Sequence, residues 1–245
     1  MAKESLTLLG HFLALRRVLI VCAMSVFVSF VVIFYFAVDV LMAMIINPIK
    51  ARGIEIIYTA MSEALVTKIK VAFVAAVIIS SPVIIWQIWS FIKPALYPNE
   101  ERFFKLTFAA SLVLFLTGIF FCYGAVYTLA VDFFLIAGEN LATPMLSLDM
   151  YIGFIFGFII PFGLAFQLPV LLYITTRIGW TNYVMLASKR KYVILAIFTV
   201  AAILTPPDVL SQVALGLPML ALYEAGVQIS RFAGKSRFAT HELNS

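Results

Sequence analysis

Long apolar runs, separated by short charged segments, dominate the pattern of this chain. Four runs contain no charged residue, and they cover residues 18–38, 71–92, 106–131 and 150–176. The shortest of them has 21 residues. A helix of that length, rising about 1.5 Å per residue, crosses a hydrocarbon layer of roughly 30 Å. Each run therefore predicts one transmembrane helix.

The last apolar stretch is divided in two. Residues 192–204 are followed by Thr205-Pro206-Pro207-Asp208, and apolar sequence then resumes over residues 209–230. Two consecutive prolines before an acid end a helix rather than continue it. The pattern predicts a helical hairpin that supplies spans five and six, the fifth being short for a full crossing. Residues 1–245 thus form one predicted membrane domain with six spans.

The composition supports a lipid environment. Apolar and aromatic residues make up 64% of the chain and charged residues 12%, and the mean hydropathy is +1.08. Soluble domains are close to half apolar and a quarter charged. A soluble enzyme, a disordered chain and a disulfide scaffold are therefore excluded. Both cysteines, Cys22 and Cys122, lie inside apolar runs and are expected to be reduced and to pack as small hydrophobes.

The distribution of basic residues predicts the orientation. With six spans, 13 Lys and Arg residues fall on the side of the two termini and four fall on the other side. The positive-inside rule then places both termini in the cytoplasm. The opposite side has a loop of residues 39–70, in which Pro48 is expected to break the chain and a partly ordered outer cap is expected to form.

Catalytic motifs are absent from the sequence. There is no HExxH, Walker or GxSxG motif, and the only histidines, His11 and His241, lie near opposite ends of the chain. We therefore predict no enzyme activity, catalytic residue, metal or cofactor. The basic residues form short clusters rather than a continuous face, so nucleic acid binding is not expected either.

Two acidic positions near helix ends have two interpretations each. Glu100 and Glu101 precede the third span on the predicted cytoplasmic side. They either complement the positive end of that helix or form an acidic patch that pairs with a guanidinium group. Asp208 precedes the sixth span, where it is either an N-cap or a functional residue.

Polar residues within the spans are few. Gln167 lies two residues before Pro169, where it either satisfies the freed carbonyl of Ala165 or makes a polar contact inside the bilayer. Glu224 lies at a similar depth, so a shared hydrated pocket is one hypothesis, and a small-solute transporter or channel is the alternative function. Gly153 and Gly157 predict close helix packing. Trp86 and Trp89 are expected to be interfacial anchors.

Four stretches resemble one known family. They are His11-Phe12-Leu13-Ala14-Leu15-Arg16; Ser81-Pro82-Val83-Ile84 with Phe91-Ile92-Lys93-Pro94-Ala95-Leu96-Tyr97 and Glu100; Phe162 to Pro169; and Leu204-Thr205-Pro206-Pro207-Asp208-Val209-Leu210-Ser211-Gln212. Together they resemble the TatC family, the multispanning receptor of the twin-arginine protein translocase. The likeness covers nearly the whole chain.

The resemblance implies a fold and a function. The implied fold is an all-α polytopic membrane protein, a curved wall of six helices with short helices five and six. The implied function is recognition of the twin-arginine signal peptides of folded proteins and assembly with the single-span subunits TatA and TatB. Export is then driven by the proton motive force in the inner membrane, by a complex that contains several copies of the chain.

The resemblance also assigns residues. Those matched to signal-peptide binding are Arg16, Phe91, Pro94, Leu96 and Glu100, with Glu101 as a neighbouring acid. Those matched to partner contacts or to family structure are Pro48, Gln167, Thr205, Asp208 and Gln212. One residue departs from the family pattern, because Ala14 replaces the glutamate of the first motif.

Overall fold

The computed structural model describes residues 8–92, 101–138, 145–204 and 209–242. These residues group into two compact units. Unit 1 comprises the described parts of Met1–Phe108 and Met145–Ile152, and unit 2 comprises those of Ala109–Pro144 and Gly153–Ser245. Pro94, Leu96, Glu100, Thr205 and Asp208 lie outside the described residues.

Unit 1 is built around the first helix. Its elements are α1 (Leu8–Phe36), α2 (Val38–Lys50), β1 (Glu55–Ile57), α3 (Glu63–Ile79), α4 (Ser81–Ile92), the start of α5 (Glu101–Phe121), β2 (Met145–Ser147) and the start of α7 (Leu148–Ala165). Helix α1 packs against α3 and α4. The contact buries small side chains of α3 such as Ala72 and Ala76, which are fully inaccessible.

The second apolar run is not one straight helix. It is divided into α3 and α4, which meet at a bend of 50°. Pro82 has no N–H for the carbonyl of Ile78, so a continuous hydrogen-bond ladder is interrupted at this point. The hydroxyl of Ser80 donates to that of Ser29 on α1 at 3.0 Å, while the Ser81 hydroxyl is buried with no partner among the described atoms.

The loop of residues 39–70 is more ordered than the sequence indicates. Pro48 does not break the chain, since α2 continues through it to Lys50. Strand β1 pairs in parallel with β2, placing Glu55 opposite Met145 and Ile57 opposite Ser147. A small sheet therefore joins two loops that are distant in sequence, which a prediction of helices alone omits.

The third predicted span contains a π-helix. Helix α5 passes into a π-helical segment, Cys122–Tyr127, and continues as α6 (Thr128–Gly138). Within this segment Cys122 is fully buried and the rings of Tyr123 and Tyr127 stack at 5.5 Å. The wider turn inserts one extra residue into an otherwise α-helical span.

Close packing in unit 2 occurs at glycines other than the expected one. A Cβ atom at Gly118 would lie 2.8 Å from the Phe166 ring and 2.9 Å from the Phe162 carbonyl oxygen. A Cβ atom at Gly153 would meet no described atom within 4 Å outside its own helix. The close approach predicted at Gly153 is thus wrong. Gly118 of α5 and Gly163 of α7 supply the close contacts, and a Cβ atom at Gly163 would lie 2.9 Å from the Phe115 ring.

The rest of unit 2 contains α8 (Leu168–Ile178), α9 (Tyr183–Ser188), α10 (Arg190–Leu204) and α11 (Val209–Glu242). Helix α11 packs against α8, α9 and α10. At 15 residues, α10 is short, as the sequence indicates for the fifth span. Helix α11 has 34 residues and continues beyond the predicted sixth span.

Four described segments are long and apolar enough to cross a membrane. They are Phe12–Phe36, Phe104–Ile136, Leu148–Ile178 and Ser211–Arg231. The bent pair Glu63–Ile79 and Ser81–Phe91 makes a fifth if it forms one span. The count of six spans and the placement of both termini stay predictions.

Candidate functional site

One candidate surface lies where α1 begins and α4 ends. Helix α2, which follows α1, packs against α3, and α3 and α4 then pack along α1, so we infer that the chain returns along α1 in the opposite direction. Arg16 lies in the third turn of α1, and Phe91 is the penultimate residue of α4, so both lie at the same end of the unit. Arg16 is exposed, and 37% of the Phe91 surface is exposed.

Aromatic contacts pack α4 against α5. The ring of Trp86 meets Phe104 and Phe108 of α5 edge to face, with centroid distances of 5.2 and 5.1 Å. Trp89 is 5% exposed and belongs to the core of unit 1. The prediction that Trp89 is an interfacial anchor is therefore wrong. Trp86 therefore packs α4 against α5, and Trp89 is buried within unit 1.

Glu101 is the first residue of α5, and its side chain lies outside the described part of the structure. An acid at this position complements the partial positive charge of a helix N-terminus. Ala14, which stands in place of the family glutamate, is partly exposed on α1.

The predicted partner residue Gln212 has an internal role. Its side-chain amide donates to the backbone carbonyl of Phe198 at 3.0 Å, which links α11 to α10. One turn further along α11, a Cβ atom at Gly216 would lie 2.9 Å from the Phe198 ring. The two helices that flank residues 205–208 are thus closely held together.

Gln167 makes a contact that neither sequence interpretation identified in full. It lies in the break between α7 and α8, and its Nε2 donates to the carbonyl of Ser111 on α5 at 3.0 Å. The side-chain amide is thus directed to Ser111 and not to the freed carbonyl of Ala165. The side chain therefore links the break between α7 and α8 to α5 by a hydrogen bond within a candidate transmembrane segment.

Glu224 is not the isolated buried acid that its position in an apolar run suggests. The Arg190 guanidinium donates two hydrogen bonds to it, from Nε to Oε2 at 3.0 Å and from Nη2 to Oε1 at 2.6 Å. The Glu224 side chain is 44% exposed. Each of Glu224 and Gln167 has its own hydrogen-bond partner, and the hydrated pocket shared by the two stays a prediction.

The densest polar cluster of the described residues surrounds Glu63, which sequence reasoning missed. One carboxylate oxygen accepts from the Ser147 hydroxyl at 2.6 Å and from the backbone N–H of Asp149 at 2.9 Å. The other accepts from the N–H and hydroxyl of Thr59, at 2.6 and 2.8 Å, and from the N–H of Ala60 at 3.3 Å.

These five bonds determine the charge state of Glu63. The residue lies eight positions before the predicted span 71–92, so the sequence predicts that it lies outside the hydrocarbon. Its hydrogen bonds, first those from Ser147 and Asp149 and then those from Thr59, lower its pKa from the ordinary 4.5 to about 2. An acidic residue at the first position of a helix, four residues after Thr59, was the available signal.

Ion pairs surround the same cluster. Lys70 pairs with Asp149 at 2.5 Å, and Thr67 donates to the same carboxylate oxygen at 3.5 Å. Lys68 pairs with Asp39 at 2.6 Å. Together with the β1–β2 pair, these contacts fasten residues 55–70 to residues 145–149. The ranges that the structure describes contain no cluster of three or more His, Cys, Asp or Glu side chains that could hold a metal ion.

Comparison with known proteins gives a consistent result. Residues 10–218 match the family described as "Sec-independent protein translocase protein (TatC)". The chain is 35% identical over 240 residues to the protein of that name from Carboxydothermus hydrogenoformans, covering 98% of both chains. It is 37% identical to the one from Aquifex aeolicus, covering 93% of this chain and 95% of that one.

A solved structure agrees in fold. The chain is similar to the crystal structure of a protein described as "Twin Arginine Translocase Receptor- TatC". The TM-score is 0.83 at 37% sequence identity, and the alignment covers 91% of this chain and 99% of the other.

Proposed function

Because the chain belongs to the TatC family, we propose that it binds the twin-arginine signal peptides of folded cargo proteins. As a family member it is a multispanning helical membrane protein and a subunit of a Sec-independent protein translocase. The observation that carries the proposal is the match over residues 10–218, together with the similar structure described as a receptor.

The chemistry of Glu100 supports binding of a paired-arginine peptide. A carboxylate offers two oxygens that accept parallel hydrogen bonds from the planar guanidinium, and a lysine ammonium lacks this geometry. Glu101 is a second acid beside it. Pro94 and Leu96 belong to the same eight-residue connection between α4 and α5, whose two flanking helices are packed together through Trp86.

Arg16 and Phe91 complete the proposed surface. Both are exposed at the end of unit 1 from which this connection leaves α4. Phe91 offers apolar area to the side chain that follows the arginine pair in the peptide. Arg16 is proposed to orient the neighbouring acids, because a cation does not bind an arginine pair directly.

The partner surface is proposed at the connection between α10 and α11. Thr205 and Asp208 lie in this connection, and TatA and TatB are the proposed single-span partners. Gln212 contributes by holding the two helices together, since its amide donates to Phe198. Pro48 and Gln167 are proposed to act structurally. Several copies of the chain are expected in the complex, and no cofactor is required.

The proposed location is the inner membrane with both termini in the cytoplasm. The excess of basic residues on the side of the termini supports this orientation. It places Glu100 on the side where signal peptides are synthesised, and the proton motive force across that membrane drives export.

A solute channel is not proposed. The alternative rested on Gln167 and Glu224 as a polar pathway, and each is hydrogen-bonded to a neighbour within the chain.

Site-specific photocrosslinking tests the proposal. A photoreactive residue at position 99, which leaves Glu100 in place, should crosslink to a labelled signal peptide with paired arginines and not to its twin-lysine version. Glu100→Gln should weaken binding by about 1.5–3 kcal/mol, the range for hydrogen bonds to charged groups. The matched control is Glu55→Gln, an exposed glutamate of β1, which should bind as the unaltered protein does. Equal binding of both peptides would refute the proposal.

A further inference from the structure

Residues 177–192, from the end of α8 to the start of α10, carry only positive charge. This segment contains four basic residues, Arg177, Lys189, Arg190 and Lys191, and no acidic residue. Of these, Arg190 is neutralised by Glu224 through its two short bonds. Lys189 and Lys191 are exposed, and no carboxylate of the described residues lies within 4 Å of either ammonium group. Two uncompensated cations therefore flank a neutralised one.

Apolar side chains are exposed on the same segment. Trp180 is 74% exposed, Val184 73% and Tyr192 74%. Trp180 follows the last residue of the candidate span Leu148–Ile178 by two positions, so it lies where hydrocarbon gives way to headgroups. Tryptophan and tyrosine favour this depth, because their rings are apolar and their N–H and O–H groups are polar.

Several bonds hold the segment in a defined conformation. Gly179 ends α8 with a φ of 93°, which a residue with a Cβ rarely adopts, and the N–H of Trp180 then donates to the Thr175 carbonyl at 2.9 Å. The Tyr223 hydroxyl of α11 donates to the carbonyl of Leu186 on α9 at 2.8 Å. The Arg231 guanidinium lies 5.7 Å from the centre of the Tyr183 ring. The exposed groups are therefore presented by a fixed scaffold.

We infer that this segment is a binding surface for an anionic phospholipid, with Lys189 and Lys191 on the headgroup phosphate and Trp180 and Tyr192 at the glycerol and acyl boundary. A lysine ammonium is a compact charge that pairs with phosphate without the planar geometry that a carboxylate favours. The exposed rings beside the end of a span fit a lipid better than a soluble acidic peptide, which would leave them in water. The inference is independent of signal-peptide binding.

Fluorescence quenching in nanodiscs tests the surface. The whole chain is reconstituted in an equal mixture of phosphatidylcholine and phosphatidylglycerol, with the acyl chains of either one or the other brominated. The charge of the bilayer is then identical, and only the position of the quencher changes. The signal of Trp180 is the difference between the unaltered chain and W180F. Brominated phosphatidylglycerol should quench this signal more strongly than brominated phosphatidylcholine.

Charge variants identify the residues responsible. K189Q/K191Q should abolish the preference, with local enrichment of the anionic lipid falling about fivefold per lysine removed. K189R/K191R keeps both charges and should retain the preference. K50Q/R52Q removes two basic residues from a different segment and should leave the preference unchanged. Far-UV circular dichroism verifies that each variant is folded.

Three results would overturn the inference. Equal quenching by the two brominated lipids would mean that the surface does not select anionic headgroups. A preference that survives in K189Q/K191Q would assign it to other residues. Absence of quenching by either lipid would place Trp180 away from the bilayer.

Discussion

The Glu63 carboxylate accepts a hydrogen bond of 2.6 Å from the hydroxyl of Ser147, a residue 84 positions further along the chain. The same carboxylate closes the turn at Thr59 and Ala60 that precedes its own helix. One side chain thus joins a local turn to a distant loop and orders the end of unit 1 that lies away from the candidate peptide surface.

Glu63→Gln should destabilise the protein. Glutamine has one acceptor oxygen, so its amino group must face either the N–H of Asp149 or the N–H groups of Thr59 and Ala60, and two donors cannot bond to each other. Thermal unfolding in detergent should show a lower midpoint than that of the unaltered chain. Glu55→Gln in the adjacent strand is the control, and an equal midpoint shift in the two variants would contradict the role of the cluster.

The stability that Glu63 supplies should depend on pH in a defined range. Its pKa is about 2 in the folded protein and 4.5 ordinarily, so the folded state favours the charged form. A lowered pKa gives a contribution that is complete above pH 4.5 and is lost as the pH falls toward 2. The difference in midpoint between the unaltered chain and Glu63→Gln should be constant from pH 7 to 5 and should shrink below 4.5. A difference that shrinks between pH 7 and 5 would be inconsistent with the cluster.

The two serines at the bend of α3 and α4 should behave differently. Ser80→Ala removes the bond to Ser29 and should lower the free energy of unfolding by about 1 kcal/mol. Ser81→Ala removes a buried hydroxyl that has no partner among the described atoms, so it should be neutral or stabilising. Unfolding in mixed micelles with increasing SDS measures both, and a larger loss for Ser81→Ala would contradict the structure.

Gly118 and Gly153 provide a matched pair for helix packing. Gly118→Ala forces a methyl group against the Phe166 ring and the Phe162 carbonyl and should cost about 1–3 kcal/mol. Gly153→Ala meets open space and should be neutral or stabilising by up to about 1 kcal/mol, because alanine favours a helix. The same SDS titration gives both values, and the packing argument fails if the order is reversed.

The positions of the helices were largely predictable. A long apolar run in a membrane must satisfy its own backbone hydrogen bonds, and an α-helix does so within one segment. The predicted run 106–131 lies within the observed Phe104–Ile136, and the predicted fifth span lies within α10. Pro82 of the second run is evident in the sequence, yet whether a proline bends or ends a helix depends on its neighbours. Here the bend brings Ser80 to Ser29 on α1.

The tertiary contacts of the polar residues were not predictable from local pattern. Glu63 binds Ser147, Glu224 binds Arg190 and Gln167 binds Ser111, and each partner lies on a different element. Sequence spacing predicts neighbours on one helix but not between helices. The position of Glu224 inside an apolar run therefore suggested an isolated acid. In the structure Arg190, at the start of α10, neutralises it.

The π-helical turn at Cys122–Tyr127 has a consequence for the span that contains it. Each residue of an α-helix rotates the chain by about 100° around the axis. One additional residue in this turn re-aims every side chain of α6 by roughly that angle relative to the face of α5. The same residues in an unbroken α-helix would therefore turn the second half of the span by about 100° from the direction it faces now.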